Sequence, residues 1–120
     1  MKEVGTHDLA GVSGDELLGM LAALANPHRL RILAALAQRR NYVSQLAREV
    51  GISRPLLRVH LARLEGAGLV HGTLELSEDG KAMRYFEVTP FVLRVTPERI
   101  TEAVRTLTVK SVVANDEEGS

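Results

Sequence analysis

Cysteine does not occur in these 120 residues. That excludes a disulfide framework and a thiolate metal site, and it suits a cytoplasmic setting. No apolar run approaches the length needed to span a bilayer. The opening residues MKEVGTHDLA lack the apolar core of a signal peptide, so neither membrane nor secretion is expected. Enzymatic signatures are missing too: there is no G-x-G-x-x-G, no phosphate-binding P-loop, no G-x-S-x-G and no H-E-x-x-H. The four histidines, His7, His28, His60 and His71, are widely spaced, and only His7 has an acid beside it, Asp8. No catalytic residue is nominated, and a small hydrolase is the least supported class. Even net charge is absent, with 15 basic against 15 acidic residues. Taken alone, that balance argues against a nucleic-acid partner.

The distribution of charge reverses the impression. Residues 26–71 carry eight arginines against Glu49 and Glu65, a net +6. Residues 1–25 set Lys2 against four acids, and residues 72–120 hold six basic and nine acidic residues, so each flank is −3. Positive charge concentrated in one central block is the electrostatic footprint of a nucleic-acid-reading unit. The neutral total predicts weaker non-specific binding than a strongly basic domain would give. With 45% hydrophobic residues, the chain reads as one small domain that buries a modest core.

Within the basic block, residues 53–70 read SRPLLRVHLARLEGAGLV. Ser53 is an N-cap candidate, and Pro55 falls in the first turn, where its missing N–H costs nothing. Leu57, Leu61 and Leu64 recur at i, i+4 and i+7, a buried stripe. Arg54, Arg58 and Arg63 fall off that stripe. Gly66 and Gly68 are expected to end the helix in the left-handed conformation that glycine adopts without steric cost. A helix apolar behind and arginine-rich in front suits a DNA major groove, although an ordinary helix with a solvated basic face has the same pattern. Its neighbours favour the first reading. VSQLAREV at 43–50 predicts a short helix with Val43, Leu46, Ala47 and Val50 inward, and Gly51-Ile52 turns into the arginine helix. That is a helix-turn-helix. Downstream, strand-like runs at 69–76 and 81–88 flank Ser77-Glu78-Asp79-Gly80, and Asp-Gly is a strong hairpin signal. A helix-turn-helix followed by a hairpin is a winged helix.

Upstream, Ser13-Gly14-Asp15-Glu16 matches a capping box. The helix it starts, over 15–25, is apolar almost all round, so it must be covered on two sides. In a domain this small the second cover is most simply another subunit. Asn26-Pro27 stops that helix and starts the next, over 28–38, expected to bury Leu30, Leu33, Leu36 and Ala37. After the hairpin, Pro90 and Pro97 confine residues 91–95 to an edge or linker. Thr96 caps a last helix in which Ile100, Val104 and Leu107 share a face, with an end expected near Val109. The fold class is therefore mainly α with a small β-hairpin wing (α+β), a five-helix winged helix-turn-helix. Residues 1–12 are expected to form a flexible arm, 13–110 the domain and 111–120 a disordered acidic tail.

Several segments together resemble the ArsR/SmtB family of bacterial winged-helix repressors: LANPHRLRIL at 24–33, VSQLAREVGIS at 43–53, RVHLARLEGAGLV at 58–70 and RYFEV at 84–88. The resemblance covers roughly residues 15–108. It implies a homodimer whose first and last helices pair across a two-fold axis, through Leu17, Leu21, Leu24, Ile100, Val104 and Leu107. It also implies that two arginine helices dock in successive major grooves of a palindromic operator, held until an inducer, often a metal ion, loosens them.

On that frame Arg54 and Arg58, in the first turns of the reading helix, are the base-edge candidates, since an arginine fork matches guanine O6 and N7. Leu56 is set either to touch a thymine methyl or to pack in the core, and Val59 is a second apolar candidate. His60 fills a position the family usually gives to histidine, bonding phosphate or supporting the helix. Arg63, late in the helix, would meet phosphate. Ser44 and Gln45 would reach the DNA backbone, and Lys81 and Arg84 in the wing would either meet phosphate or minor groove or belong to a solvated hairpin tip.

The sequence departs from the family at its metal sites. A thiolate site would need Cys near Val43, where Tyr42, Val43, Ser44 and Gln45 stand instead. The other familiar site needs His on the last helix, and residues 97–113 contain none. If a metal acts, imidazole and carboxylate ligands favour Ni²⁺ or Zn²⁺, with His7 and Asp8 as the available candidates. A non-family site, a co-regulator protein that does the sensing, and no inducer at all stay open. The rival to an operator-binding regulator is a winged-helix interaction module working with such a co-regulator.

Overall fold

The computed structural model describes residues 7–8 and 11–108, with side chains from residue 11 onward. Along the chain run β1 (His7–Asp8), α1 (Gly14–Leu24), α2 (Pro27–Gln38), β2 (Asn41–Tyr42) and α3 (Val43–Val50). They are followed by α4 (Arg54–Gly66), β3 (Val70–Leu76), β4 (Ala82–Val88), β5 (Phe91–Val92) and α5 (Pro97–Val104). The expected acidic tail at 111–120 and most of the expected arm at 1–12 lie outside the described residues.

Four of these helices begin at a side-chain cap that the sequence announces. Glu16 N–H donates to Ser13 Oγ at 3.1 Å while Ser13 N–H donates to the Glu16 carboxylate at 2.9 Å, a complete capping box. Asn26 Oδ1 accepts from the amides of His28 (2.9 Å) and Arg29 (3.1 Å). Ser53 Oγ accepts from Leu56 at 3.2 Å, and Thr96 Oγ1 from Arg99 at 3.1 Å. Each cap stabilises its helix by about 1 kcal/mol and fixes where the chain turns.

Ile32, Leu36, Leu46, Ala47, Leu57, Leu61 and Leu64 form the core where α2, α3 and α4 meet, closed by Leu69, Val70 and Phe86 from the sheet. The phase of α2 differs from expectation. Its inward stripe is Arg29, Ile32 and Leu36, with Leu33 half-buried, whereas Leu30 and Ala37 are exposed. Residues 29, 32 and 36 follow the i, i+3, i+7 spacing of a single helical face, and residues 30 and 37 stand off it.

Gly51 closes α3 in the left-handed region at φ +82°, which sets the tight turn into α4. At the end of α4 that role falls to Gly68 (φ +78°) alone. Gly66 is still helical and Ala67 caps, which corrects the pairing expected from sequence. The wing is an antiparallel sheet of order β2-β4-β3, its hairpin in register from Val70 opposite Val88 to Leu76 opposite Ala82. Residues 77–80 form the turn, with Gly80 at φ +86°. In a second, two-residue pairing, β1 runs parallel to β5, His7 opposite Phe91.

α1 lies against α5 in the same chain. Gly14 sits so close that an added Cβ would stand 2.1 Å from the Ala103 carbonyl oxygen, and its N–H donates to Thr106 Oγ1 at 2.8 Å. Asp15 accepts from the Thr108 amide at 2.9 Å. The last helix ends at Val104 with a turn through Thr106, shorter than the end expected near Val109.

One buried group joins three helices. Arg29, 8% exposed, donates from Nε to the Ala23 carbonyl (2.6 Å), from Nη2 to the Ala22 carbonyl (3.1 Å) and from Nη1 to His60 Nδ1 (3.1 Å). It thereby ties the last turn of α1 and the middle of α4 to the start of α2. His60, 7% exposed, has its ring 5.4 Å from that of His28. The expectation that His60 meets DNA is therefore corrected: its ring points inward and supports the helix. Accepting from Arg29 leaves Nδ1 without a proton. Burial, and then the neighbouring Arg29, His28 and Arg63, hold the His60 pKa below the ordinary histidine value.

A histidine with a lowered folded-state pKa leaves the unfolded chain as the better proton acceptor. Stability is full above the unfolded value and is lost as the pH falls through it towards the folded one. The urea midpoint should therefore drop between about pH 7 and pH 5.5. His60→Asn, which keeps an acceptor near Nδ1 but cannot titrate, should flatten that slope. A slope identical in both proteins would assign the acid sensitivity elsewhere.

Candidate nucleic-acid interface

α4 presents two outward stripes on either side of its buried leucines. Arg54, Arg58, Ala62 and Glu65 face the wing, while Leu56, Val59 and Arg63 face away from it at i, i+3 and i+7 spacing. Leu56 is 39% and Val59 59% exposed, so the core alternative for Leu56 is set aside; Leu57 takes that place at 0%. Between the first stripe and the wing lies a cleft of about 370 Å³. Tyr42 and Ser44 border it at the start of α3, and Met83, Arg84 and Phe86 border it from β4.

The arginines around this cleft are not equivalent. Among the described residues Arg54 and Arg58 have no ion-pair partner, and both are exposed. Placing them against DNA breaks no contact. Arg84 is instead bonded through Nη2 to Glu65 at 3.0 Å, and its guanidinium lies 5.1 Å from the Phe86 ring centroid. Towards the turn of the wing Arg40 makes a bidentate pair with Glu75, one arm at 2.9 Å. It also stacks 4.4 Å from the centre of the Tyr85 ring, which meets Tyr42 edge-on. That pairing holds the Glu75 carboxyl below its ordinary pKa, the Arg40 hydrogen bond being the main cause.

The other residues nominated from sequence divide. Arg63 and Lys81 are exposed, and Ser44 is half-buried at the cleft mouth. Gln45 is turned along its own helix, donating to Glu49 at 3.3 Å, and Arg39 bonds the same carboxylate. Tyr42, Glu65 and Met83 were not anticipated. Tyr42 and Met83 come to the cleft through the sheet in which β2 pairs with β4, Tyr42 opposite Tyr85, which two residues of extended chain do not announce, and Glu65 enters through its bond to Arg84. For a metal the geometry offers nothing: no cluster of three or more His, Asp or Glu able to hold one occurs among the described residues. The side chains of His7 and Asp8 lie outside that description.

A helix-turn-helix whose second helix carries arginines without an ion pair among the described residues, flanked by a hairpin wing, is the architecture of a winged-helix DNA-binding protein. The family described as "Bacterial regulatory protein, arsR family" matches residues 26–71. The HTH-type transcriptional regulator MJ0229 of Methanocaldococcus jannaschii is 35% identical over 85 residues, covering 71% of this chain and 88% of that one. The chain belongs to the arsR family and is a DNA-binding transcriptional regulator. The regulator CmtR of Mycobacterium tuberculosis is 44% identical over 63 residues, 52% of this chain and 50% of CmtR. The same fold occurs in Mb0332 of Mycobacterium bovis, described as a homodimeric winged helix-turn-helix DNA-binding domain. It superposes with TM-score 0.56 at 24% identity, over 87% of this chain and 82% of that one.

Arg58 stands in mid-stripe with nothing to release. Arg58→Ala should cost about 1–3 kcal/mol of operator affinity and relax the preference at one base position, read by competition with single-base operator variants. Unchanged affinity would move the reading face elsewhere on α4.

Proposed function

We propose that the protein is a sequence-specific homodimeric regulator that seats α4 of each subunit in successive major grooves of a palindromic operator. The observation that carries this reading is the unpaired Arg54–Arg58 stripe beside a wing braced by its own ion pairs. Base edges fall to Arg54 and Arg58, with Leu56 and Val59 as apolar contacts. Arg63 and Lys81 meet phosphate, and Ser44 lies close enough to join them.

The dimer reading rests on the far side of the molecule. Leu18 and Leu21 of α1, Ile100 and Val104 of α5, and Leu107 beyond it are exposed, although each is a large apolar side chain. Leu17 and Leu24 differ from the interface expected from sequence. Leu17 is already buried where α1 meets α5, and Leu24 packs against the protomer's own core. A face of five apolar residues on two adjacent helices is the kind of surface a second copy covers.

The input signal is a separate matter. The histidine and carboxylate ligands that Ni²⁺ or Zn²⁺ would need are not assembled among the described residues. A co-regulator that carries the sensor accommodates the same observation. The interaction-module reading has no observation of its own to favour it.

Fluorescence anisotropy against DNA from upstream of the protein's own gene, with scrambled competitor and a salt series, tests the reading. Competitor-resistant binding with a log–log salt slope of several units is expected. Weak and equal binding to both duplexes would favour the interaction module. Val104→Glu should place a charge in the apolar face and shift the sedimenting species from dimer to monomer. A variant that stays dimeric would place the interface elsewhere.

A further inference from the structure

We propose that Glu65 is a specificity-determining residue: it holds the wing arginine, Arg84, in an internal ion pair that only a correctly seated DNA backbone displaces. The inference rests on the DNA-binding reading and concerns a residue which that reading does not itself assign. Glu65 is the one acid on the stripe of α4 that carries Arg54 and Arg58, at the end of the same cleft. Its carboxylate is 3.0 Å from Arg84 Nη2, and both side chains are partly exposed.

The path Arg84 takes to reach Glu65 is built for it. Gly72 stands opposite Phe86 in the hairpin, and a Cβ there would come within 2.9 Å of both Arg84 Nε and the Phe86 ring. The bare backbone of Gly72 therefore lets the guanidinium lie across β3 and over the ring. Arg84 is thus posed, not freely solvated.

The consequence is a difference between duplexes. An exposed ion pair is weak, so a phosphate held at the right distance by a fully docked reading helix can take Arg84 from Glu65. On DNA of the wrong sequence the helix sits loosely, the phosphate is not fixed, and the internal carboxylate keeps its partner. Glu65 also repels any backbone that approaches without releasing Arg84. Arg54 and Arg58, which have no acid partner among the described residues, impose no such condition.

The test compares native protein, Glu65→Gln, Arg84→Ala and the double variant. The probes are a duplex enriched by the native protein from a random-sequence library and a scrambled duplex of equal composition. Glu65→Gln should raise affinity for the scrambled duplex about fivefold and for the enriched one less, so that the ratio falls. Its salt slope on scrambled DNA should steepen by about one unit, the mark of one more phosphate contact. In the Arg84→Ala background the same substitution should leave the ratio nearly unchanged. A ratio untouched by Glu65→Gln overturns the proposal while leaving operator recognition standing. An equal fall without Arg84 overturns it too, because Glu65 would then act through its own charge. Native protein that fails to discriminate the duplexes refutes both the operator reading and the proposal.

Discussion

The architecture depends on a buried cation. Arg29 is almost fully enclosed, and enclosing a charge is costly unless every donor finds a partner. No carboxylate forms an ion pair with it among the described residues; its partners are two carbonyls from the last turn of α1 and the bare nitrogen of His60. Carbonyls at a helix C-terminus carry partial negative charge, so α1 supplies as a dipole what an acid would supply as an ion. The arrangement has a structural consequence. α1, whose Leu18 and Leu21 are exposed, and α4, which carries the exposed Arg54 and Arg58, are both indexed to one guanidinium on α2. A rotation of either helix has to break hydrogen bonds that nothing else in the core can satisfy.

The zero net charge is resolved by pairing rather than by composition. Arg39, Arg40 and Arg84 each have their own carboxylate, from Glu49, Glu75 and Glu65, in pairs that join α2 to α3, the end of α2 to β3, and the wing to α4. Screened surface pairs of this kind contribute little to stability, but they decide which arginines are free to act. Arg54 and Arg58 are. The fold thus keeps Arg54 and Arg58 outside any ion pair among the described residues, and it sets Arg39, Arg40 and Arg84 in pairs around them.

How legible this was in the sequence depends on the range of the interaction. The caps at Ser13, Asn26, Ser53 and Thr96 were readable because each acts within three residues of itself. The hairpin turn and the α4 stripe were readable because each is a local period or a local dipeptide. His60 misled because its place on α4, among arginines, suggested a surface role, while the partner that buries it lies 31 residues upstream. Leu30 and Ala37 misled because a leucine-rich helix offers more than one apolar stripe, and the choice of Ile32 and Arg29 is made by α4 and α1. Glu65 was unremarked because its meaning comes from Arg84, 19 residues away across a turn. Local rules placed the elements; long-range contacts assigned the faces.

The same geometry explains why one copy of this chain would make a poor operator binder. A single winged helix offers one α4 with its exposed Arg54 and Arg58, and an isolated module of this size buries only about 600–1,000 Å² on DNA. Its flanks are acidic, so the general attraction of a basic domain for the backbone is not available to compensate. In the proposed homodimer, affinity comes from engaging two half-sites at once, where the second contact forms at the high effective concentration set by a rigid link. The link must be stiff, because a flexible one would not hold two helices one turn of DNA apart. α1 and α5, fixed to each other at Gly14 and to the reading helix through Arg29, meet that mechanical requirement. Their exposed apolar side chains, Leu18, Leu21, Ile100 and Val104, lie on the elements that a stiff coupling between two copies would use.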